Sequence, residues 1–216
     1  MEGMNLNKNS FSISRLMGFD AEASELQEIK TELVRKSMHF LIALSPSMAS
    51  LNRPLTAAIL MVGTLFYAVM ETLRLSGIEV PLVSSLTSMA SRPRDRERFV
   101  LGPVTLGLGA LLALLLYPSP AASIGIYALA FGDGFASLIG KTFGKHRPDF
   151  MLGKSIEGSL ACFGAVFVTA YGVSRSFKVA FIAAITATLV EALPLRDYDN
   201  LALPISVGFV VQMFIL

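Results

Sequence analysis

The chain has 216 residues, of which 53% are hydrophobic and only 16% charged, with a formal net charge of +2. Several apolar runs of about 17 to 22 residues are each long enough to cross a bilayer core of roughly 30 Å, which excludes an ordinary soluble domain. A single Cys162 excludes an internal disulfide, and no nucleic-acid motif is present.

In chain order, residues up to about Gly18 read as loosely structured, and the polar, charged beginning does not read as a signal peptide. Residues 20–36 read as an amphipathic helix on the membrane surface, with Leu26, Ile29, Leu33 and Phe40 at helical spacing. It feeds a short first span over 38–51, bent at Pro46. The second span is 54–73. A polar segment follows, with an apolar patch at 80–89 and then Arg92, Arg94, Arg96 and Arg98. The third span is 99–117, and Pro118-Ser119-Pro120 makes a tight turn. The fourth, 121–140, carries Asp133, and a basic loop reaches to Lys154. The fifth is 155–173, the sixth 177–193 and the seventh 200–216. The expected fold is therefore all-α: a polytopic helical membrane bundle of about seven transmembrane helices. Residues 1–37 form an N-terminal cytoplasmic segment with the amphipathic helix, and 38–216 form the transmembrane catalytic domain.

Orientation follows from the basic residues. With seven spans, roughly 15 of the 18 lysines and arginines fall on the amino-terminal side. Only Arg53, Arg175 and Lys178 fall opposite. The positive-inside rule makes the rich side cytoplasmic. The acids were not used in that count, yet Glu71, Glu157, Glu191 and Asp199, with Asn200, all come to the cytoplasmic ends of their spans. Asp133 lies about two turns, on the order of 10 Å, inside the same end. His39 opens the first span there. The expectation is an integral membrane enzyme, in the inner membrane if the source is bacterial, with its site facing the cytoplasm.

A carboxylate in an apolar segment is expensive and marks a functional site. After Asp133 come Gly140, Lys141, Gly144, Lys145, Lys154, Ser155, Glu157 and Gly158. Gly132, Ala136, Gly140 and Gly144 are spaced by four and place one small-residue stripe along a helix. Such a stripe serves close helix packing, and equally lets backbone approach a nucleotide. Lys141, Lys145, Arg147 and Lys154 form a basic loop suited to anionic lipid headgroups or to phosphates. Ser155 reads as the N-cap of the fifth span, whose first turn offers N–H groups to an anion. Lys154 can neutralise a phosphate, and Glu157 can hold a metal or orient Lys154. Arg35 and His39 stand one turn apart on one face, with Lys36 beside them. They make a snorkelling cluster or a phosphate clamp with a proton acceptor. His146 reads as solvated. Glu71 and Arg74, at i and i+3, are expected to pair. Glu191 has no basic neighbour in sequence before Arg196. Asp197, Asp199 and Asn200 are helix caps or metal ligands.

At these residues the sequence resembles the polyprenol kinase family: dolichol kinases, phytol kinases and CTP-dependent diacylglycerol kinases. The resemblance lies in Arg35-Lys36…His39, the Glu71 region, Gly102-Pro103, and Gly132-Asp133…Ala136…Gly140-Lys141…Gly144-Lys145. It continues through Lys154-Ser155-Ile156-Glu157-Gly158-Ser159 and closes with Glu191…Asp199-Asn200…Pro204. It covers about residues 30 to 205. It implies transfer of the γ-phosphate of CTP, or of another nucleoside triphosphate, to the hydroxyl of a membrane lipid: a diacylglycerol or a polyprenol- or phytol-type alcohol. It also implies Mg2+ or another divalent cation. Asp133 is the expected catalytic residue, with His39, and Asp133, Glu157 and Asp199 are the expected metal ligands. The expected nucleotide contacts are Arg35, Lys36, Gly132, Ala136, Gly140, Lys141, Gly144, Lys145, Lys154, Ser155 and Gly158. Glu71, Glu191 and Asn200 support them. Phosphatidate cytidylyltransferases, which make CDP-diacylglycerol, share part of this pattern but are expected to carry a later His-Gly-Gly and an Asp-Arg-x-Asp. This chain has neither after Lys154 and offers Asp197-Tyr198-Asp199-Asn200 instead. A small transporter subunit is the alternative outside the enzymes, but it calls for acids near the bilayer midplane rather than at one end.

Overall fold

The computed structural model describes residues 27, 29–78, 87, 89, 98–151 and 153–215, and among them every regular element is helical. The helix expected before residue 27, most of the apolar patch at 80–89, and Arg92, Arg94 and Arg96 lie outside the described residues.

The first helix, α1, covers 29–42. A turn at 43–44 separates it from α2, Ser45–Leu51, which carries Pro46 in its first turn. Proline is accommodated there because the first N–H groups of a helix have no partner within it. The expected first span is thus two helical pieces broken just before the proline. α3 is Arg53–Leu75, capped by the Asn52 side chain, which accepts from Leu55 N at 3.0 Å. α4 is Gly102–Leu116 and again opens on a proline, Pro103. α5, Ala121–Tyr127, passes through one π-helical turn, Ala128–Asp133, into α6, Gly134–Thr142. α7 is Ile156–Ser174 and α8 is Phe177–Ala192. A 3₁₀ turn, Arg196–Tyr198, leads into α9, Asp199–Ile215.

Among the described residues, four segments are long and apolar enough to cross a membrane: Arg53–Leu75, Ala121–Thr142, Ile156–Ser174 and Arg196–Ile215. α4 and α8 stand where the third and sixth spans were expected, but have 15 and 16 residues. Both fall short of the ~20 residues of an ordinary crossing.

Packing follows membrane rules. The interior is alanine-rich: Ala110, Ala113, Ala128, Ala130, Ala183 and Ala187 are fully buried. Small side chains let helix backbones approach and gain dispersion contacts where no water drives association. α7 packs against both α6 and α8, and α9 packs against α4, α5 and α8. Large apolar side chains point outward; Leu55, Val62, Leu65, Val168, Leu189 and Met213 are each more than half exposed. Such a surface is tolerable where the solvent is lipid.

The same rule sets the faces of α1. Its apolar residues Leu33 and Leu41 are 56% and 66% exposed. Its polar stripe, Glu32, Lys36 and His39, is buried instead. Charges that cannot be hydrated must be satisfied inside the protein, so the polar face turns inward and the apolar face is left for lipid.

Candidate active site

Glu32, Lys36 and His39 share one stripe of α1, at i, i+4 and i+7. This stripe meets Asp133 at the end of the π-helical turn. A π turn widens the helix by one residue, breaks the regular hydrogen-bond ladder and re-aims the side chains that follow it. Lys36 Nζ donates to Asp133 Oδ2, and His39 Nδ1 lies 3.1 Å from the same oxygen. His39 Nδ1 is also 3.5 Å from the carbonyl of Leu129. Both neighbours are acceptors, so the ring carries a proton on Nδ1. Nothing among the described residues takes Asp133 Oδ1.

Glycines on either side of Asp133 make this geometry possible. A Cβ at Gly134 would stand 2.9 Å from the Phe40 ring of α1. One at Gly132 would stand 2.7 Å from Val166 of α7. The Gly132 end of the small-residue stripe therefore serves helix packing. Further along, a Cβ at Gly158 would meet the Ala136 carbonyl at 2.7 Å and Gly140 Cα at 3.2 Å. α6 and α7 cross there almost backbone to backbone.

An open cavity of about 540 Å³ lies beside this crossing. Arg35 and Lys36 enter it from α1, Asp133 and Lys141 from α5–α6, and Lys154 and Ser155 from the start of α7. Ala136, Gly140 and Gly158 contribute nearly bare backbone, and Glu191, Asp199 and Asn200 close the far wall. Ser155 caps α7 as expected, accepting from Gly158 N at 3.1 Å.

Several cations around the cavity are held by acids from distant parts of the chain. Lys141 Nζ is 2.9 Å from Glu32, Arg35 is 3.2 Å from Asp197, and Lys154 Nζ is 2.5 Å from Glu191 Oε1. Burial works against the charge on Lys154, but the Glu191 carboxylate outweighs it and holds the ammonium above its ordinary pKa. Arg147 straps the loop before α7, donating to the carbonyls of Gly140 at 2.6 Å and Gly153 at 2.7 Å.

Several expected site residues stand elsewhere. Glu157 does not line the cavity; its carboxylate takes the backbone N–H and the ring of His146, the latter at 2.7 Å. It therefore neither orients Lys154 nor faces Asp133, and His146, though exposed, has a partner. Lys145 is exposed and off the cavity wall. Gly144 packs against Ser155, where a Cβ would stand 2.7 Å from that residue's own Cβ. Glu71 pairs with Arg74 at 2.7 and 2.8 Å, as expected, and accepts from Val100 N at 2.9 Å. It anchors the approach to α4 and does not line the cavity. Asn200 reaches the cavity wall, but its amide donates to Gly102 O and Thr105 Oγ1 at 3.3 and 3.0 Å, tying α9 to α4. Asp199 Oδ1 accepts from Asn200 N at 2.8 Å. Among the described residues no three His, Cys, Asp or Glu side chains stand close enough to cage a metal.

The chain is similar to an uncharacterized protein of Methanocaldococcus jannaschii, 30% identical over 135 residues that cover 62% of this chain and 68% of that protein. It is similar to a probable chloroplastic phytol kinase of Zea mays, 25% identical over 221 residues, covering 93% of this chain and 72% of the kinase. Phytol kinase 1 of Arabidopsis thaliana is 25% identical over 162 residues, covering 65% and 53%. The chain belongs to the polyprenol and phytol kinase family. It spans about half the length of most of the phytol kinases it matches. No family model matches it, and no solved structure does.

In this family member the residue that sequence reasoning missed is Glu32. Its carboxylate lies 2.9 Å from Lys141 and 3.8 Å from both Arg35 and Lys36, joining three of the cavity's cations. The available signal was the spacing of Glu32, Arg35, Lys36 and His39 at i, i+3, i+4 and i+7, a charged stripe running into an apolar segment. Arg147, counted only as part of the basic loop, is the strap that holds that loop to α6.

Proposed function

We propose that this chain is a CTP-dependent lipid kinase, transferring the γ-phosphoryl group to the hydroxyl of a membrane lipid alcohol of the phytol, polyprenol or diacylglycerol kind. The observation that supports it best is Asp133. It is buried against Lys36 and His39 beside a cavity ringed by Arg35, Lys141 and Lys154, in a chain similar to phytol kinases. In this reading the chain crosses the membrane seven times, with α1–α2, α4 and α8 as its short spans, and the cavity opens to the cytoplasm.

Phosphoryl transfer demands positioning and charge neutralisation more than covalent help. Lys154 and Lys141 hold the polyphosphate, and the positive end of α7 favours it, although Ile156 N and Gly158 N are taken by His146 O and Ser155 Oγ. The bare backbone at Gly140 and Gly158 lets the phosphates come close. Lys36 and His39 keep Asp133 ionised and aimed. Asp133 Oδ1 accepts the proton of the lipid hydroxyl as its oxygen bonds to the γ-phosphorus. The bond from that phosphorus to the β–γ bridging oxygen breaks, and CDP leaves. The donor set fits a divalent cation that arrives with the nucleotide, because Mg2+ takes one or two carboxylates plus phosphate oxygens rather than an all-protein cage. Asp199, with Asp133 beside it, would hold that cation, which would neutralise charge on the phosphates.

The test is incubation of purified protein with γ-labelled CTP and a panel of phytol, a polyprenol, diacylglycerol and phosphatidate. The expected result is label in a lipid monophosphate, with CDP released. Release of pyrophosphate with phosphatidate as the acceptor would refute the kinase and select a cytidylyltransferase.

A further inference from the structure

Glu191 closes α8 inside an apolar stretch and lines the cavity with only 3% of its surface exposed. Its Oε1 accepts from Lys154, while its Oε2 is buried and has no hydrogen-bond partner among the described residues. A buried carboxylate keeps its charge only beside a cation. Here that cation is the Lys154 ammonium, the same group that stands ready for a phosphate. Lys154 also feels the carboxylates of Asp133 and Asp199. Three acids thus draw on the Lys154 ammonium along this wall, although Lys36 serves Asp133 and acts on Asp199 as well, which leaves Glu191 most dependent on Lys154. When a triphosphate draws Lys154 toward itself, Glu191 becomes an uncompensated buried charge. A second cation at Glu191 removes that cost. A carboxylate with an unclaimed oxygen is a hard ligand of the type Mg2+ and Mn2+ prefer.

We infer that Glu191 is a ligand of the divalent cation that enters with the nucleotide, uncovered as Lys154 passes from Glu191 to a phosphate. The inference rests on the nucleotide reading above. It puts Glu191 in the place that the sequence pattern assigned to Glu157, whose carboxylate is engaged by His146 away from the cavity. It also makes nucleotide and metal binding mutually dependent, since each removes the penalty the other would meet alone.

The experiment is equilibrium binding of CTP to the whole chain in detergent micelles, in EDTA and in saturating Mn2+. Wild type, Glu191→Gln and Glu157→Gln are compared. Mn2+ is expected to tighten CTP binding to wild type. In Glu191→Gln, CTP in EDTA should bind at least as tightly as to wild type, because Lys154 no longer leaves a charge behind. The tightening by Mn2+ should shrink by about tenfold or more, the equivalent of one lost ligand contact. Glu157→Gln should keep the wild-type enhancement. An undiminished enhancement in folded Glu191→Gln overturns the inference and leaves the nucleotide reading standing. Absence of CTP binding to wild type in both conditions overturns both. If Glu191→Gln does not fold, Glu191→Asp decides. It keeps a charge near Lys154 but withdraws the carboxylate by one methylene, so the Mn2+ enhancement must still fall, and an unchanged enhancement overturns the inference.

Discussion

Replacing Asp133 by Asn removes the charge that Lys36 depends on. Both side chains are only 4% exposed, and the pair joins α1 to the π-helical turn. Breaking a buried pair from one side typically costs 3–5 kcal/mol, because the remaining charge is left uncompensated. Lys36 keeps one other acid, Glu32, at 3.8 Å. We therefore expect the low end, about 3 kcal/mol, or roughly two powers of ten in the ratio of folded to unfolded protein. This departs from what a lone buried carboxylate would suggest, since neutralising such a group costs nothing or stabilises. The double variant Lys36→Met/Asp133→Asn removes both charges and keeps the bulk of the lysine stem. Glu32 retains Lys141 and Arg35, so the double should lie within about 1 kcal/mol of wild type, a coupling of about 2 kcal/mol or more. Unfolding in mixed micelles against rising denaturing detergent measures all four corners of the cycle. Both variants carrying Asn should lose phosphoryl transfer, which separates stability from chemistry. Asp133→Asn with wild-type stability, or additive single effects in the double, would refute the pairing as the reason Asp133 stays charged.

Lys154→Ala should weaken CTP binding by about 10- to 100-fold, as one charge-assisted contact is worth ~1.5–3 kcal/mol. It should also lower the melting point by stranding Glu191, and adding Glu191→Gln should restore melting but not binding. Because the ammonium is held above its ordinary value, the stability of the Lys154–Glu191 pair is present below that value and lost only as pH rises beyond it. Melting from neutral to mildly alkaline pH should therefore show no step from this pair. Gly158→Ala places a Cβ 2.7 Å from the Ala136 carbonyl and should cost about 1–3 kcal/mol by forcing α6 and α7 apart. Gly164→Ala on the same helix meets nothing within 4 Å and should stay within about 0.5 kcal/mol of wild type. A cysteine at Lys145 and one at Pro118 should label from opposite sides of the membrane, and labelling from the same side would sink the cytoplasmic placement of the cavity.

The sequence by itself determined the helical segments and where the chemistry-bearing residues lie along them. Long apolar runs leave the backbone no choice but to satisfy its own hydrogen bonds, so 121–140 and 155–173 were legible as helices to within two residues. The Ser155 cap was legible because it spans three residues of contiguous chain. Asp133, Lys154 and the Arg35–His39 cluster stood out because charge in an apolar context is costly wherever it occurs. Only the tertiary structure decided which charge answers which. Lys154 pairs with Glu191 across 37 positions, Lys36 with Asp133 across 97 and Arg35 with Asp197 across 162. Glu157, three residues from Lys154, turns to His146 instead. The inward turn of the polar face of α1, the π-helical turn before Asp133 and the place of Glu32 were equally hidden. Each depends on how separate helices pack: a helical period shows that a face exists, while the neighbours that remove charge from lipid determine which way it points.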